Sequence, residues 1–304
     1  MAIKTVKSQN FDWYYLTDFS NEELNFLKTN FKFHPLDLKD CAGEIRPTKI
    51  DIYRNYIFLV FQIPYLDKVG KKVSVSQVYF FLGKGFLVTI TKSRMKIFNN
   101  FFYRIVNNPK VKEEAFSQDA GYLLYKILDL LLRSSWLLPN YLDQDIRRVE
   151  ADIEEGHTRK IVFEIATLRR LMLQLKAIID PQKIVTNTLS RLDAKFIDSE
   201  MLVYFDDLDD FIEKNIYILE SYRDRVLSLY EINEALMSHR TNSVMKILTV
   251  MSVALMPLTL LSGIYGMNID LPLGNHPFFI WGLFIGLAAL ILGVLFYLRK
   301  KDWI

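Results

Sequence analysis

Two stretches near the end of this 304-residue chain, 247–265 and 278–298, contain no Asp, Glu, Lys or Arg and are almost wholly apolar. An α-helix rises about 1.5 Å per residue, so about twenty such residues match the roughly 30 Å hydrocarbon core of a bilayer. A helix satisfies its backbone polar groups internally, and the pair therefore reads as two transmembrane helices. Their connection, GMNIDLPLGNHP at 266–277, has no Lys or Arg, whereas Arg240 and Lys246 precede the first span and Arg299, Lys300 and Lys301 follow the second. The positive-inside rule places both termini in the cytosol, at the plasma (inner) membrane, with the short loop outside. A buried hairpin of a soluble protein is the competing reading, and two tandem runs with this charge asymmetry argue against it.

Apolar residues are densest after Lys246, and the earlier part has the mixed charge of a globular domain. The single cysteine, Cys41, excludes an internal disulfide, and four scattered histidines form no structural zinc pattern. A net charge of +3 from interspersed signs leaves no nucleic-acid footprint. The start, MAIKTVKSQNFDWYYL, has no continuous apolar segment of the signal-peptide kind, so the amino end is expected to stay inside.

Residues 50–90 read as strands: IDIYRNYIFLVFQIPYL, a turn at DKVGKK, VSVSQVYFFL, a turn at Gly83-Lys84-Gly85, then FLVTI. Aromatic and β-branched residues between Gly and Lys turns predict an antiparallel meander. NEELNFLKTNF before it reads as a short helix, so 1–115 is expected to form an α+β domain, an antiparallel sheet with helices. The period changes to 3.6 through GYLLYKILDLLLRSSWLL, DQDIRRVEADIEE and IVFEIATLRRLMLQLKAIID, up to Pro181. No Gly or Pro then occurs until Pro257, which predicts one long helix from near Ser199 into the membrane, on the order of 100 Å long. The expected organisation continues with a helical region at 116–198, a stalk at 199–246, a span at 247–265, a loop at 266–277, a span at 278–298 and a basic tail at 299–304.

Within the first span, residues other than bulky aliphatics fall at Asn242, Met245, Thr249, Ser252, Met256, Thr259 and Gly263, in steps of three and four along one helix face. Backward, the register gives Ser221, Asp224, Ser228, Glu231, Ala235 and Ser238, so Asp224 and Glu231 would form an acidic funnel. A neighbouring stripe, Leu208, Ile212, Leu219, Tyr222, Val226, Leu229 and Leu236, is largely apolar. Small and hydroxyl residues also serve close helix packing in membranes. The length of the stripe, from acidic positions to a polar loop, favours a pore face. Two spans per chain enclose no hole, so a pore needs several copies, first spans inside and second spans toward lipid.

At the end of the first span stands YGMN, 265–268, within KILTVMSVALMPLTLLSGIYGMN, followed by a short loop, a second span and RKKDWI. Together with HPLDLKD at 34–40, NYIFLVF at 55–61 and YLLYKILD at 122–129, this combination resembles the CorA family of magnesium channels over most of the chain. The resemblance implies a membrane homopentamer whose long stalk helix continues into the pore, carrying Mg²⁺ inward with Co²⁺ and Ni²⁺ as surrogates. The family's selectivity motif falls on Gly266, Met267 and Asn268, and its pore-lining positions add Leu248 to the stripe. Its magnesium-sensing contact between subunits falls on Asp40 and Asp207, the latter within an acidic cluster with Asp206, Asp209 and Asp210 that otherwise reads as a solvated helix face. Mg²⁺ is thus expected as transported and regulatory ion, without an organic cofactor. Two departures stand out: IDLPLGNHP offers only Asp270 where the family often has an acidic MPEL loop, and Lys39 replaces a common acidic residue beside Asp40.

A related branch carries zinc, from which Met267 distinguishes this chain. A membrane-anchored enzyme or sensor is the reading of another class, and no catalytic constellation or phosphate-binding loop supports an enzyme. His34 beside Pro35 reads as a turn residue, His157 and His239 as helix-surface residues, and His276 as a solvated loop residue.

Overall fold

The computed structural model describes residues 3–17, 19–67, 72–92, 95–135, 137–155, 158–192, 194, 196–267 and 276–301. The chain divides into two compact units, Met1–Leu229 and Tyr230–Ile304. In the first unit, β1 (Ile3–Lys7) and β2 (Asp12–Thr17) are followed by α1 (Asn21–Asn30) and α2 (Pro35–Ala42). Then come β3 (Lys49–Ile52), β4 (Tyr56–Asp67), β5 (Lys72–Gly83) and β6 (Phe86–Thr91). Five helices complete the series before the long one: α3 (Lys96–Asn107), α4 (Pro109–Ala115), α5 (Ala120–Ser135), α6 (Leu137–Glu154) and α7 (Thr158–Ser190). The 65-residue α8 (Met201–Tyr265) begins in the first unit and ends in the second, where α9 (Pro277–Lys300) follows.

The six strands form one sheet in the order β1-β2-β6-β5-β4-β3. Alternate residues of β4 enter different cores: Ile57, Leu59 and Phe61 join helices α3, α5, α7 and α8, while Phe58 and Val60 join Leu27 of α1 and Leu38 and Cys41 of α2. A sheet covered on both faces has continuous apolar strands, the character of YIFLVF, because neither side of the pleat meets water. Burial of each such side chain contributes about 1.5–3 kcal/mol. The tight turn into β6 depends on Gly85, whose φ of +79° suits glycine. The DKVGKK turn at 67–72 falls mostly outside the described residues.

The sheet corrects the sequence expectation in one respect: it is mixed, because β2 lies parallel to β6. The remaining neighbours, including the β3–β6 meander, are antiparallel. The β1–β2 hairpin lies before the 50–90 stretch that reads as strands. Its seat beside β6 is a tertiary fit, with buried Trp13 and Tyr15 meeting Thr89 and Thr91 through side-chain hydrogen bonds of 3.1 and 3.3 Å. Its connection then crosses the α1–α2 face to reach β3 at the opposite edge.

The 3.6 period is followed in the sequence up to Pro181, and α7 runs on through that proline to Ser190. Proline removes one helical hydrogen bond. That loss is offset by tertiary anchors beyond it: Gln182 donates to the Gln62 carbonyl at 2.6 Å, and Val185 and Leu189 are core residues. Thr186 and Asn187 donate to Asp209 of α8 at 2.7 and 3.2 Å. Asp209 is therefore a buried structural carboxylate and not part of a solvated face.

Alongside the sheet, α6, α7 and α8 pack through a separate core that includes Leu142, Ile146, Ile165, Leu168, Leu219, Val226 and Leu229. Leu208 and Ile212 of the apolar stripe join the main core, whereas Leu236 is exposed.

Candidate functional site

In the second unit, α8 and α9 are apolar over lengths sufficient to cross a membrane. Each has one half-covered face. On α8 it is Val250, Ala254, Pro257, Leu258, Leu261 and Tyr265; on α9 it includes Ile280, Leu283, Phe284, Leu287, Ile291 and Leu295. Leu298 of α9 shares a cleft with Asn242, Met245, Thr249 and Val250 of α8, so the two helices run antiparallel.

At about 100° per residue the stripe Asn242, Met245, Leu248, Thr249, Ser252, Met256, Thr259 and Gly263 lies roughly opposite the covered face of α8. Every one of these residues is exposed. A Cβ added at Gly263 would meet nothing within 4 Å, so its smallness serves no packing inside one chain. The Thr249 and Thr259 hydroxyls donate to the carbonyls of Met245 and Leu255 at 2.8 and 3.0 Å. With its proton turned back to the helix, each oxygen presents only acceptor lone pairs outward.

The upper end of α8 closes tightly at Gly266, whose N–H donates to Ser262 O at 2.9 Å; a Cβ there would lie 2.9 Å from the same oxygen. Met267 is exposed. Asn268 and Asp270 lie outside the described residues, as does His157. His276 is the N-cap position of α9 and makes no capping bond through its side chain.

Further down α8, Asp224 and Glu231 are exposed as the register requires, and Asp224 pairs with Arg223 at 3.0 Å. The face bearing Leu219, Val226 and Leu229 is fastened to its neighbours. Lys183 pairs with Glu213 at 3.0 Å, and Arg225 reaches Asp143 at 2.8 Å and Glu150 at 3.0 Å.

Asp40 and Asp207 belong to helices on opposite faces of the sheet: α2 with the Leu38 and Cys41 core, α8 with the Phe205 and Leu208 core. One chain therefore does not bring them together. His34 caps α2, its ring accepting from the Leu36 N–H at 3.3 Å, which is the structural role its sequence setting predicts. Asp37, buried in the same helix, accepts from Tyr53 at 3.0 Å and Tyr56 at 2.8 Å, and this seats α2 on the sheet. Burial pushes the Asp37 carboxyl up, the two hydroxyl donors pulling partly back.

Asp40 is not an open carboxylate. Lys49 Nζ lies 2.9 Å from one oxygen and Arg46 Nε 3.3 Å from the other. Burial acts to lower the Lys49 ammonium, and the Asp51 and Asp40 carboxylates outweigh it to give a raised value. Asp207 is half-exposed, accepting from the Tyr125 hydroxyl at 3.3 Å and lying 3.7 Å from Arg133. Burial, then Asp129 and Asp207, push the Tyr125 hydroxyl up to about 12. Among the described residues no group of three or more His, Cys, Asp or Glu gathers as metal ligands. The Asp40 surroundings in a single chain thus do not fit a ready-made Mg²⁺ site. The sequence reading missed Arg46 and Lys49, because a loop and a strand start carry no periodic signal linking them to a helix.

The fold and the helical hairpin are those of a membrane protein, a mixed-sheet domain in one unit and two helices apolar enough to cross a bilayer in the other. The chain matches the family profile described as CorA-like Mg²⁺ transporter protein over residues 8–300. It is 29% identical over 278 residues to the Thermotoga maritima cobalt/magnesium transport protein CorA, covering 90% of this chain and 78% of that one. It is 28% identical over 306 residues to the Bacillus subtilis putative metal ion transporter YfjQ, covering 100% and 93%. The complete structure of the CorA magnesium transporter from Methanocaldococcus jannaschii superposes with a TM-score of 0.82 at 21% identity, over 98% of this chain and 93% of that one. The chain belongs to the CorA-like Mg²⁺ transporter family.

Proposed function

We propose that the chain assembles as a homopentamer and carries hydrated Mg²⁺, with Co²⁺ and Ni²⁺ as surrogates, into the cytosol down the membrane potential. The observation that carries this reading is the exposed stripe of α8, which from Ser252 to Gly263 lies opposite the face associated with α9, while Asn242, Met245 and Thr249 border a cleft with Leu298. In a ring of five copies, first spans inside, that stripe lines the axis and α9 faces lipid.

Mg²⁺ is reluctant to lose its waters, so a selective mouth grips the hydrated ion. A ring of Asn268 amide oxygens beyond the tight Gly266 turn, flanked by Met267, accepts hydrogen bonds from the ion's water. Thr249, Ser252 and Thr259 extend the acceptor surface, which the outward lone pairs of the two threonines support. Asn242 repeats the contact at the cytosolic end, and Asp224 and Glu231 draw the cation away. Rings of Met245, Leu248 and Met256 close the path by dewetting. The inside-negative potential supplies about 4.6 kcal/mol per 100 mV for a divalent ion, twice the single-charge figure. The basic flanks of both helices support cytosolic termini.

We assign Asp40 and Asp207 of neighbouring subunits to the regulatory contact. Within one chain Asp40 already holds two cations, Arg46 and Lys49.

The test is ion flux into vesicles containing the purified protein, with Mg²⁺, Co²⁺ and Zn²⁺ in turn. Influx of Mg²⁺ and Co²⁺ is expected, abolished by Asn268→Ala in a protein that still assembles. Zn²⁺ flux alone would assign the chain to zinc transport, and no flux of any ion would make it an anchored sensor.

A further inference from the structure

The Asp40 carboxylate is occupied by cations that the fold itself delivers. Arg46 is held by its backbone: its N–H donates to Gln77 Oε1 at 3.3 Å, and its carbonyl accepts from Gln62 Nε2 at 2.9 Å and from Gln77 Nε2. Lys49 sits in β3, shared between Asp40 at 2.9 Å and Asp51 at 2.6 Å, with its ammonium 5.3 Å from the Phe58 ring. Neither cation needs to be recruited from a flexible tail. The Asp40 side chain is itself only 16% exposed, whereas Asp207 is 53% exposed. One half of the contact between subunits is therefore open and the other half is filled.

We infer that Arg46 and Lys49 act as tethered counter-cations that compete with divalent metal for Asp40, so that this protein's regulatory contact responds to cytosolic Mg²⁺ only at raised concentration. The inference rests on the reading of Asp40 and Asp207 as the regulatory contact. A divalent ion approaching Asp40 must displace two groups already in contact with both carboxylate oxygens, or stand beside them against like-charge repulsion. Attached groups compete at a high effective concentration that dilution does not lower. Lys39, exposed one residue away on α2, adds to the repulsion. A hydrated Mg²⁺ held through one or two carboxylates has little coordination energy with which to evict them.

The experiment uses the purified full-length protein in lipid nanodiscs, reading protection against chymotrypsin as a function of Mg²⁺. Replacing Arg46 and Lys49 leaves chymotrypsin's aromatic sites untouched. The double variant Arg46→Gln, Lys49→Gln is expected to reach half-protection at about tenfold lower Mg²⁺, equivalent to about 1.4 kcal/mol. Adding Asp40→Asn should return the midpoint to the parental value or above it. A charge-keeping exchange, Arg46→Lys with Lys49→Arg, should hold the parental midpoint and guards against a mere packing effect. If the double variant leaves the midpoint unmoved while Asp40→Asn alone raises it, the counter-cation inference fails and the regulatory reading stands. A lowered midpoint that persists after Asp40→Asn, or that the charge-keeping exchange reproduces, also overturns the inference. If Asp40→Asn alone moves nothing, the regulatory reading itself is wrong.

Discussion

Arg225 of α8 reaches both carboxylate oxygens of Glu150 on α6, each at 3.0 Å, while its other terminal nitrogen lies 2.8 Å from Asp143. A planar guanidinium with two carboxylates on one neighbouring helix fixes the rotation of α8 about its own axis. The clasp is partly exposed, so its worth is screened. Arg225→Ala is expected to destabilise the protein by about 1–2 kcal/mol, less at high salt. Thermal unfolding of Arg225→Ala, Glu150→Ala and the double variant would measure the coupling, and strictly additive losses would show that the clasp is not a unit.

Two aspartates give opposite acid behaviour. Partial burial pushes the Asp143 carboxyl up, but bonds from Arg225 and Arg147 outweigh it and hold the group below 3.8. Its stabilisation is present above pH 3.8 and is lost as pH falls through the depressed folded value. Burial of Asp37 raises its carboxyl above 3.8, so the folded state binds the proton more tightly and stability falls as pH rises from 3.8 through that raised value. Melting temperature against pH should therefore lose its descending component just above 3.8 in Asp37→Asn and its acid-side loss in Asp143→Asn. Identical profiles for Asp37→Asn and the parent would contradict the first assignment.

The end of α8 leaves no room for a side chain at Gly266, where a Cβ would lie 2.9 Å from Ser262 O. Gly266→Ala must shift the last turn, at a strain of about 1–3 kcal/mol. Because the following residue but one is Asn268, Mg²⁺ flux should drop sharply although the protein still reaches the membrane. Full flux from Gly266→Ala would uncouple the turn from selectivity.

Met256 is 70% exposed on the stripe and is the longest apolar residue in its middle. If its ring closes the path by excluding water, Met256→Ser should raise resting flux on the order of tenfold at high internal Mg²⁺. Unchanged resting flux would move the gate to Met245 or Leu248.

Particular residues show how far the primary structure reaches. The spacing of Asn242, Thr249, Ser252, Met256 and Gly263 was legible because a helix maps steps of three and four onto one face without help from the rest of the chain. The strands from Lys49 to Thr91 were legible for a similar reason, their residue types and turns being local. Pro181 hid the end of α7, because its cost is local while Gln182, Val185 and Thr186, which carry the helix onward, depend on partners in β4 and α8. Asp209 misled likewise: among four aspartates in five positions, only a facing threonine and asparagine distinguish the buried one.

By itself the sequence determined the two apolar spans, the basic flanks and the polar face of the first span, because transfer into a bilayer and helical periodicity are sums over neighbouring residues. Only the tertiary structure decided that β2 would lie parallel to β6, that Asp40 and Asp207 would stand on opposite faces of one sheet, and that Arg46 and Lys49 would fill the first carboxylate. Those outcomes depend on which distant segments meet, and a charge six or nine residues away acquires its meaning only when the backbone between is folded back upon it.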